Sequence, residues 1–359
     1  MTRVTKIKIV VVAVGIMLSA IVFTGGRSSA QTQVETAGQK FKNIKVLNDM
    51  PADQMGQVMN IMSASLGVDC KMCHVSNDKD FEKDGIDHKD IARKMIKMTW
   101  EINKTFFEGK PEVSCNTCHV GHERPVALPS LLPPAPPVER PKQPAVKPTV
   151  DEILAKYETA LGGKDALARV KSRYIKANRV EPDGKTVEPE EIWLKGGKYR
   201  SETKYGDYLV TELFDGKDAR KLGNTEAIEL KAFEAEQMKR DAQLFANPDI
   251  RSIYAKLDFR FLNRIDGREV YMVTATTADN RREQLVFDVL TGQLVRRVAS
   301  AMTVIGQFQY QVDYSDYKDL GGVKLPASTR FAMPGITWTR KIVEVKNNTV
   351  DDAKFTSPK

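Results

Sequence analysis

Two copies of a Cys-x-x-Cys-His motif constrain this chain more than any other feature. They occupy residues 70–74 and 115–119 and contain every cysteine of the sequence. Their cysteines and histidines are Cys70, Cys73, His74, Cys115, Cys118 and His119. This spacing is the attachment signature of c-type haem, because two thiols three residues apart can reach the two vinyl groups on one porphyrin edge while the adjacent imidazole reaches the iron. We therefore predict two covalently bound haem c groups, with thioether bonds to the four cysteines and the two histidines as proximal iron ligands.

Two other chemistries use paired cysteines. Both pairs could share one tetrahedral zinc ion, or each pair could form a redox disulfide. Zinc ribbons usually separate their pairs by about 15 to 20 residues, whereas Cys73 and Cys115 lie much further apart. A disulfide leaves both histidines unexplained. Haem is thus the preferred interpretation, with zinc and disulfide chemistry as the alternatives.

The N-terminus has the three-part pattern of an export signal. Three basic residues precede an apolar run from Ile9 to Phe23, and small residues end at Ala30. The run is shorter than the roughly 20 residues that a membrane span needs. We predict that residues 1–30 are a signal peptide and that the mature chain is periplasmic, with an uncleaved N-terminal anchor as the alternative.

The charge balance excludes nucleic acid as a predicted partner. The chain has 55 Lys and Arg against 47 Asp and Glu, a formal charge of +8. Four of the basic residues lie in residues 1–30, which contain no acid, so the charge falls to +4 once that segment is removed. Haem propionates would offset much of the remainder, which leaves no basic excess of the kind that nucleic-acid binding requires.

One helix is predicted before each motif. The first begins near Pro51 and ends at Gly67, since Pro suits a first helical turn and Gly a helix end. The second carries an apolar stripe with a 3.6-residue period. The stripe consists of Ile91, Met95, Met98, Ile102 and Phe106. Residues 31–128 are therefore predicted to form a mostly α-helical di-haem cytochrome domain.

The composition changes after this domain. Prolines recur without periodicity over residues 129–148, which is typical of an extended interdomain linker. Residues 149–359 open with a short helix capped by Thr149 and continue as strands separated by turns such as Asp266-Gly267. One helix near residues 232–244 interrupts the strands. This part contains neither Cys nor His, so we predict a binding or docking module without an active site.

Each haem iron needs a sixth ligand or an open site, and methionine is a common ligand in electron-transfer cytochromes. Helical periodicity places Met55, Met59 and Met62 on one face, and likewise Met95 and Met98. The spacing cannot decide which of them binds iron. Flexible core packing around an apolar cofactor is the alternative role for all five.

Three segments resemble half of the tetrahaem cytochrome subunit of photosynthetic reaction centres. They run from Met59 to Cys70, from Ile91 to Asn103 and from Val113 to His119, and the resemblance covers residues 36–128. It implies that Met59 is the distal ligand of the His74 haem and Met95 that of the His119 haem. It also implies photosynthetic electron transport, with redox partner proteins that include membrane-bound complexes. The chain departs from that family in having two haem motifs where the family has four.

Residues 149–359 resemble the periplasmic lipoprotein-carrier fold, an antiparallel half-barrel wrapped over helices. The resemblance rests on Gly162-Gly163 after the opening helix, on Phe287-Asp288 before Thr291-Gly292, and on Asp313-Tyr314. It implies an apolar ligand for this domain. The predicted fold class is thus multidomain: a mostly α haem-binding domain, a Pro-rich linker and an α+β antiparallel half-barrel.

The predicted function is electron transfer by a di-haem cytochrome that is not an enzyme. Two alternative functions belong to other functional classes. A di-haem peroxidase would open the distal side of one haem during turnover, and an envelope protein would bind lipid or a partner through residues 149–359 with haem as its sensor. Binding of peroxide or carbon monoxide to the reduced protein separates the first alternative from the relay.

Overall fold

The computed structural model describes residues 34–74, 81–84, 87–125, 141–224, 226–230, 232–246 and 249–356. The predicted signal peptide and residues 129–140 of the predicted linker lie outside these ranges. The described residues from position 35 onward belong to one compact unit, Glu35–Lys359. Among the described residues, no helix is long and apolar enough to cross a membrane.

The first part of the chain is helical, as the sequence predicts. Its helices are α1 (Ala37–Lys40), α2 (Met55–Leu66), α3 (His88–Phe106) and α4 (Cys115–His119), with short 3₁₀ turns at Ala52–Gln54 and Cys70–Met72. Helix α2 ends at Gly67, whose φ of 67° and ψ of 31° are left-handed. That conformation favours glycine and closes the helix with a bond from the Gly67 amide to the Ser63 carbonyl. The first haem motif follows three residues later.

The second part begins with helices and continues as strands. The helices are α5 (Val150–Ala160), α6 (Lys164–Arg169), α7 (Ala232–Ala246) and α8 (Ile250–Ile253). The strands are β1 (Ser172–Val180), β2 (Val187–Lys195), β3 (Lys198–Tyr205), β4 (Tyr208–Phe214), β5 (Ala219–Gly223), β6 (Glu226–Ile228), β7 (Lys256–Ile265), β8 (Arg268–Thr276), β9 (Arg282–Asp288), β10 (Leu294–Thr303), β11 (Gly306–Asp319), β12 (Lys324–Met333) and β13 (Ile336–Asn347). Thr149 caps α5 through a capping box with Glu152, as its position predicts.

Within the described residues, the strands form a single antiparallel sheet in the order β6-β5-β4-β3-β2-β1-β13-β12-β11-β10-β9-β8-β7. Hairpins join most neighbours, and the Asp266-Gly267 turn has φ values of 50° and 77°. Positive φ at both positions matches the twist that a two-residue hairpin needs. The predicted fold class, a helical region followed by an antiparallel sheet, is confirmed.

A buried ionic cluster fixes α7 against the sheet. The guanidinium of Arg297, fully buried, donates to Asp241 at 2.6 Å and to Glu283 at 3.3 Å. Glu283 also accepts from Arg240 at 3.2 Å and from the Tyr254 hydroxyl at 2.5 Å. Buried charges are tolerated only when they are paired in this way. These contacts therefore link α7 to strands β9 and β10.

The helical part and the sheet share a hydrophobic cluster. Ile305 and Phe308, at the β10–β11 hairpin, pack with Val58 and Ile61 of α2 and with Ile96 of α3, and all five are nearly inaccessible to solvent. Burying five such side chains stabilises the contact by about 1.5–3 kcal/mol each. The hairpin therefore anchors both helices that precede the haem motifs.

Candidate haem-binding sites

The first motif forms a single tight turn. The 3₁₀ turn Cys70–Met72 is capped by Asp69, whose carboxylate accepts from the Lys71 amide at 3.0 Å. The Cys70 carbonyl accepts from the amides of Cys73 at 3.3 Å and His74 at 3.0 Å. Both thiols and the imidazole thus belong to side chains of a single backbone turn, as attachment to one porphyrin edge requires.

The imidazole of His74 is partly enclosed. Its ring packs edge-on against Phe81, with ring centroids 4.9 Å apart. Its Nδ1 atom is buried and has no hydrogen-bond partner among the described residues. Burial, together with the charge of Lys89, lowers the pKa of His74. The neutral imidazole that results is the form that ligates a metal.

The second motif is helix α4 itself. Cys115 and Cys118 lie three residues apart on a helix, so their side chains project from one side, and His119 follows four residues after Cys115. The Nδ1 atom of His119 donates to the carbonyl oxygen of His122 at 2.9 Å. Metal-binding histidines usually make such a bond, which fixes the ring and leaves Nε2 to face the metal. His122 therefore contributes its backbone rather than its side chain.

No disulfide joins any of the four cysteines. Burial raises the pKa of Cys73 and of Cys115. The donor set of each motif, two thiols and one imidazole, fits one covalent haem. Such a group would supply reversible one-electron chemistry at its iron.

The apolar stripe of α3 faces outward. Ile91, Met95, Met98 and Phe106 are 51%, 37%, 45% and 75% exposed, whereas Ile96, Thr99 and Asn103 on the adjacent face are buried. A soluble helix normally buries its apolar stripe. The outward stripe therefore fits a large apolar cofactor, and it carries the predicted ligand Met95.

On α2, the predicted ligand Met59 is half-buried and packs at the edge of the shared cluster, as do Met55 and Met62. The fold thus gives the three methionines similar surroundings. Assignment of Met59 and Met95 as distal ligands stays a prediction.

The backbone just before the first motif meets the backbone just after the second. The amide of Gly121, two residues after His119, donates to the carbonyl of Ser65 in α2 at 2.8 Å. A Cβ atom on Gly67 would lie 2.1 Å from the Gly121 carbonyl oxygen, which shows how closely the two backbones approach. Gly67 precedes Cys70 by only three residues, a span of at most about 11 Å.

Two contacts at these sites were missed by sequence reasoning. His88, at the start of α3, is half-buried and places Nδ1 2.7 Å from the Met72 carbonyl of the first motif. Asn103 pairs with the backbone of Val113 through two bonds, of 2.8 and 2.9 Å. The His88 contact has no signal in the sequence. The signal for the Asn103 contact is an Asn within an amphipathic helix, and its burial is visible only in the structure.

Val120 is strained at the end of α4. Its φ of 48° and ψ of 40° are left-handed, which costs a β-branched residue about 1–2 kcal/mol. Its side chain is 66% exposed, so little packing would be lost on truncation. Val120→Gly should therefore raise the free energy of unfolding by about 1 kcal/mol, measured by chemical denaturation. Val146→Gly is the control, because Val146 is 85% exposed without positive φ; equal effects of the two changes would refute the strain.

The motifs and the helices around them define a cytochrome c-like region followed by an antiparallel sheet. Residues 16–139 match the family model of the photosynthetic reaction centre cytochrome C subunit, which confirms the predicted resemblance. The photosynthetic reaction center cytochrome c subunit of Roseobacter denitrificans is 31% identical over 99 residues, which cover 25% of this chain and 27% of that protein. The match thus spans about a quarter of the length of this curated relative.

Solved structures similar to this chain cover its C-terminal part. A DUF1329 family protein from Desulfovibrio piger has 13% identity and a TM-score of 0.40, covering 58% of this chain and 97% of that one. A LolA superfamily protein from Nitrosomonas europaea has 13% identity and a TM-score of 0.39, covering 58% and 98%.

Proposed function

We propose that this chain is an exported di-haem c-type cytochrome that passes electrons between its two haems and redox partner proteins. The observation that carries the proposal is the close backbone approach of Gly67, three residues before the first motif, to Gly121, two residues after the second. Electron tunnelling weakens steeply with distance, so neighbouring haems exchange electrons efficiently. The match of residues 16–139 to reaction centre cytochrome subunits supports the same role.

Within this proposal, Cys70, Cys73 and His74 hold one haem, and Cys115, Cys118 and His119 hold the other. Met59 and Met95 are the proposed distal ligands. With both axial positions filled, neither iron would bind a substrate, which suits a carrier rather than an enzyme. Membrane-bound redox complexes are the proposed partners, in a periplasmic setting reached after removal of residues 1–30.

The alternative of an apolar ligand for residues 149–359 receives less support from the described cavities. The apolar cavity there, lined mainly by leucine and tyrosine side chains around Tyr157 and Tyr317, measures about 40 Å³. Ligand pockets usually measure about 300–1,000 Å³. A larger cavity of about 390 Å³ is bordered by the basic residues Lys171, Arg173 and Lys195, which an uncharged apolar ligand would not pair.

Carbon monoxide binding tests the relay against the peroxidase alternative. The chain, produced with c-type haem maturation machinery, should contain two covalent haems by pyridine haemochrome, and its reduced form should bind no carbon monoxide. The Met95→Ala variant should have an open coordination position at one haem iron and should bind one equivalent of carbon monoxide. Met98→Ala is the matched control and should behave as the parent, because only Met95 is the proposed ligand. Rapid binding by the parent would favour the peroxidase instead.

A further inference from the structure

The turn between β10 and β11 contacts two elements of the second haem site. The Val304 carbonyl, in this turn, accepts a hydrogen bond from the Trp100 indole Nε1 of α3 at 2.6 Å. Ile305, the next residue, is 4% exposed and packs with Ile96, one helical turn before Trp100. A directional bond and a buried apolar contact therefore hold the same face of α3.

This anchoring determines where the other face of α3 points. Ile96 is adjacent in sequence to Met95, and a step of one residue turns an α-helix by about 100°. With Ile96 and Trp100 held against the sheet, Met95 and Met98 are directed to the outward side, where both are exposed. Rotation of α3 about its axis would move the Met95 thioether away from this position.

The same turn also reaches helix α4. A Cβ atom on Gly306 would lie 3.3 Å from the Cβ atom of Ser114. Ser114 is the N-cap of α4 and directly precedes Cys115. One turn of the sheet therefore contacts both the helix that carries Met95 and the cap of the helix that carries His119.

We propose that the β10–β11 turn is a positioning element for the haem at Cys115 and Cys118, and that it sets the separation between its axial ligands His119 and Met95. The proposal rests on the proposed function, which assigns a haem to this motif. The sheet is then part of the redox centre's framework. Trp100 and Gly306 act through the ligands and touch no iron, so they are positioning residues.

Trp100→Phe tests the first contact, because it removes the N–H donor and keeps an aromatic ring. The full chain with both haems would be examined by pyridine haemochrome, by the near-infrared Met-to-iron band of the oxidised form, and by a redox titration. We expect two haems, a weakened or shifted band, and one of the two midpoint potentials lowered, since Met ligation raises the potential. Trp338→Phe in β13 is the control for loss of an indole and should leave both potentials unchanged.

Gly306→Ala tests the second contact independently and serves also where Trp100→Phe fails to fold. It should shift the same single potential, because the added methyl group presses on Ser114. Gly267→Ala is its control, since Gly267 also lies in a hairpin with positive φ but has nothing within 4 Å of its Cβ position. Two unchanged potentials in both variants would overturn the positioning role while leaving the di-haem assignment intact. A parent chain without covalent haem would overturn both proposals.

Discussion

Replacing Cys115 and Cys118 together with alanine should leave one covalent haem per chain instead of two. The physical reason is that each motif supplies its own thioethers and its own histidine, so removal of one set leaves the other complete. Pyridine haemochrome absorbance against protein concentration measures the change. The mirror variant, Cys70→Ala with Cys73→Ala, should also retain one haem, with a different midpoint potential.

The paired variants also separate the three chemistries that use these cysteines. Under the zinc hypothesis the four thiols act as one site, so either double variant would abolish all binding. Under the disulfide hypothesis neither the parent nor the variants would carry haem, and the parent would have fewer titratable thiols than four. Loss of all cofactor from either double variant would therefore contradict two independent haem sites. Retention of one haem by each would support them.

The local structure around the motifs was predictable because its signals are local. Gly67 ends α2 as its position predicts, and Thr149 caps α5. The stripe on α3 was correctly placed on one face, but the sequence did not show which way that face points. The orientation depends on Trp100 and Ile96 meeting the β10–β11 turn more than 200 residues later, as the indole-to-Val304 bond records.

Charge and proline interrupt the alternating pattern in several strands. β1 carries Arg173, which is buried, and β12 contains Pro326. β7 has arginines on both sides of Phe261. In each case pairing with neighbouring strands decides the structure, and pairing partners far apart in the chain leave no pattern within one segment. The domain boundary within residues 129–148 stays a prediction.

The contact between the residues that flank the two haem motifs was also beyond the sequence, and its removal should have the second large effect. Gly67→Ala would place a methyl group 2.1 Å from the Gly121 carbonyl oxygen and 2.9 Å from its carbonyl carbon. Both are backbone atoms, so the end of α2 and the end of α4 must separate. The bond from the Gly121 amide to Ser65 would be lost, at a cost of about 1 kcal/mol. Left-handed φ at an alanine adds about 1–2 kcal/mol.

Chemical denaturation should therefore show the free energy of unfolding lowered by about 2–3 kcal/mol in Gly67→Ala. Gly109→Ala is the matched control, because Gly109 also has left-handed φ, of 77°, but nothing lies within 4 Å of its Cβ position. In this variant the free energy of unfolding should fall only by the cost of left-handed φ at an alanine. The difference between the two variants then measures the close approach of Gly67 to Gly121. Electron equilibration between the haems should slow in Gly67→Ala and stay unchanged in Gly109→Ala. Equal losses of stability in the two variants would mean that Gly67 and Gly121 are not in contact. The observation that carries the proposed relay would then be lost.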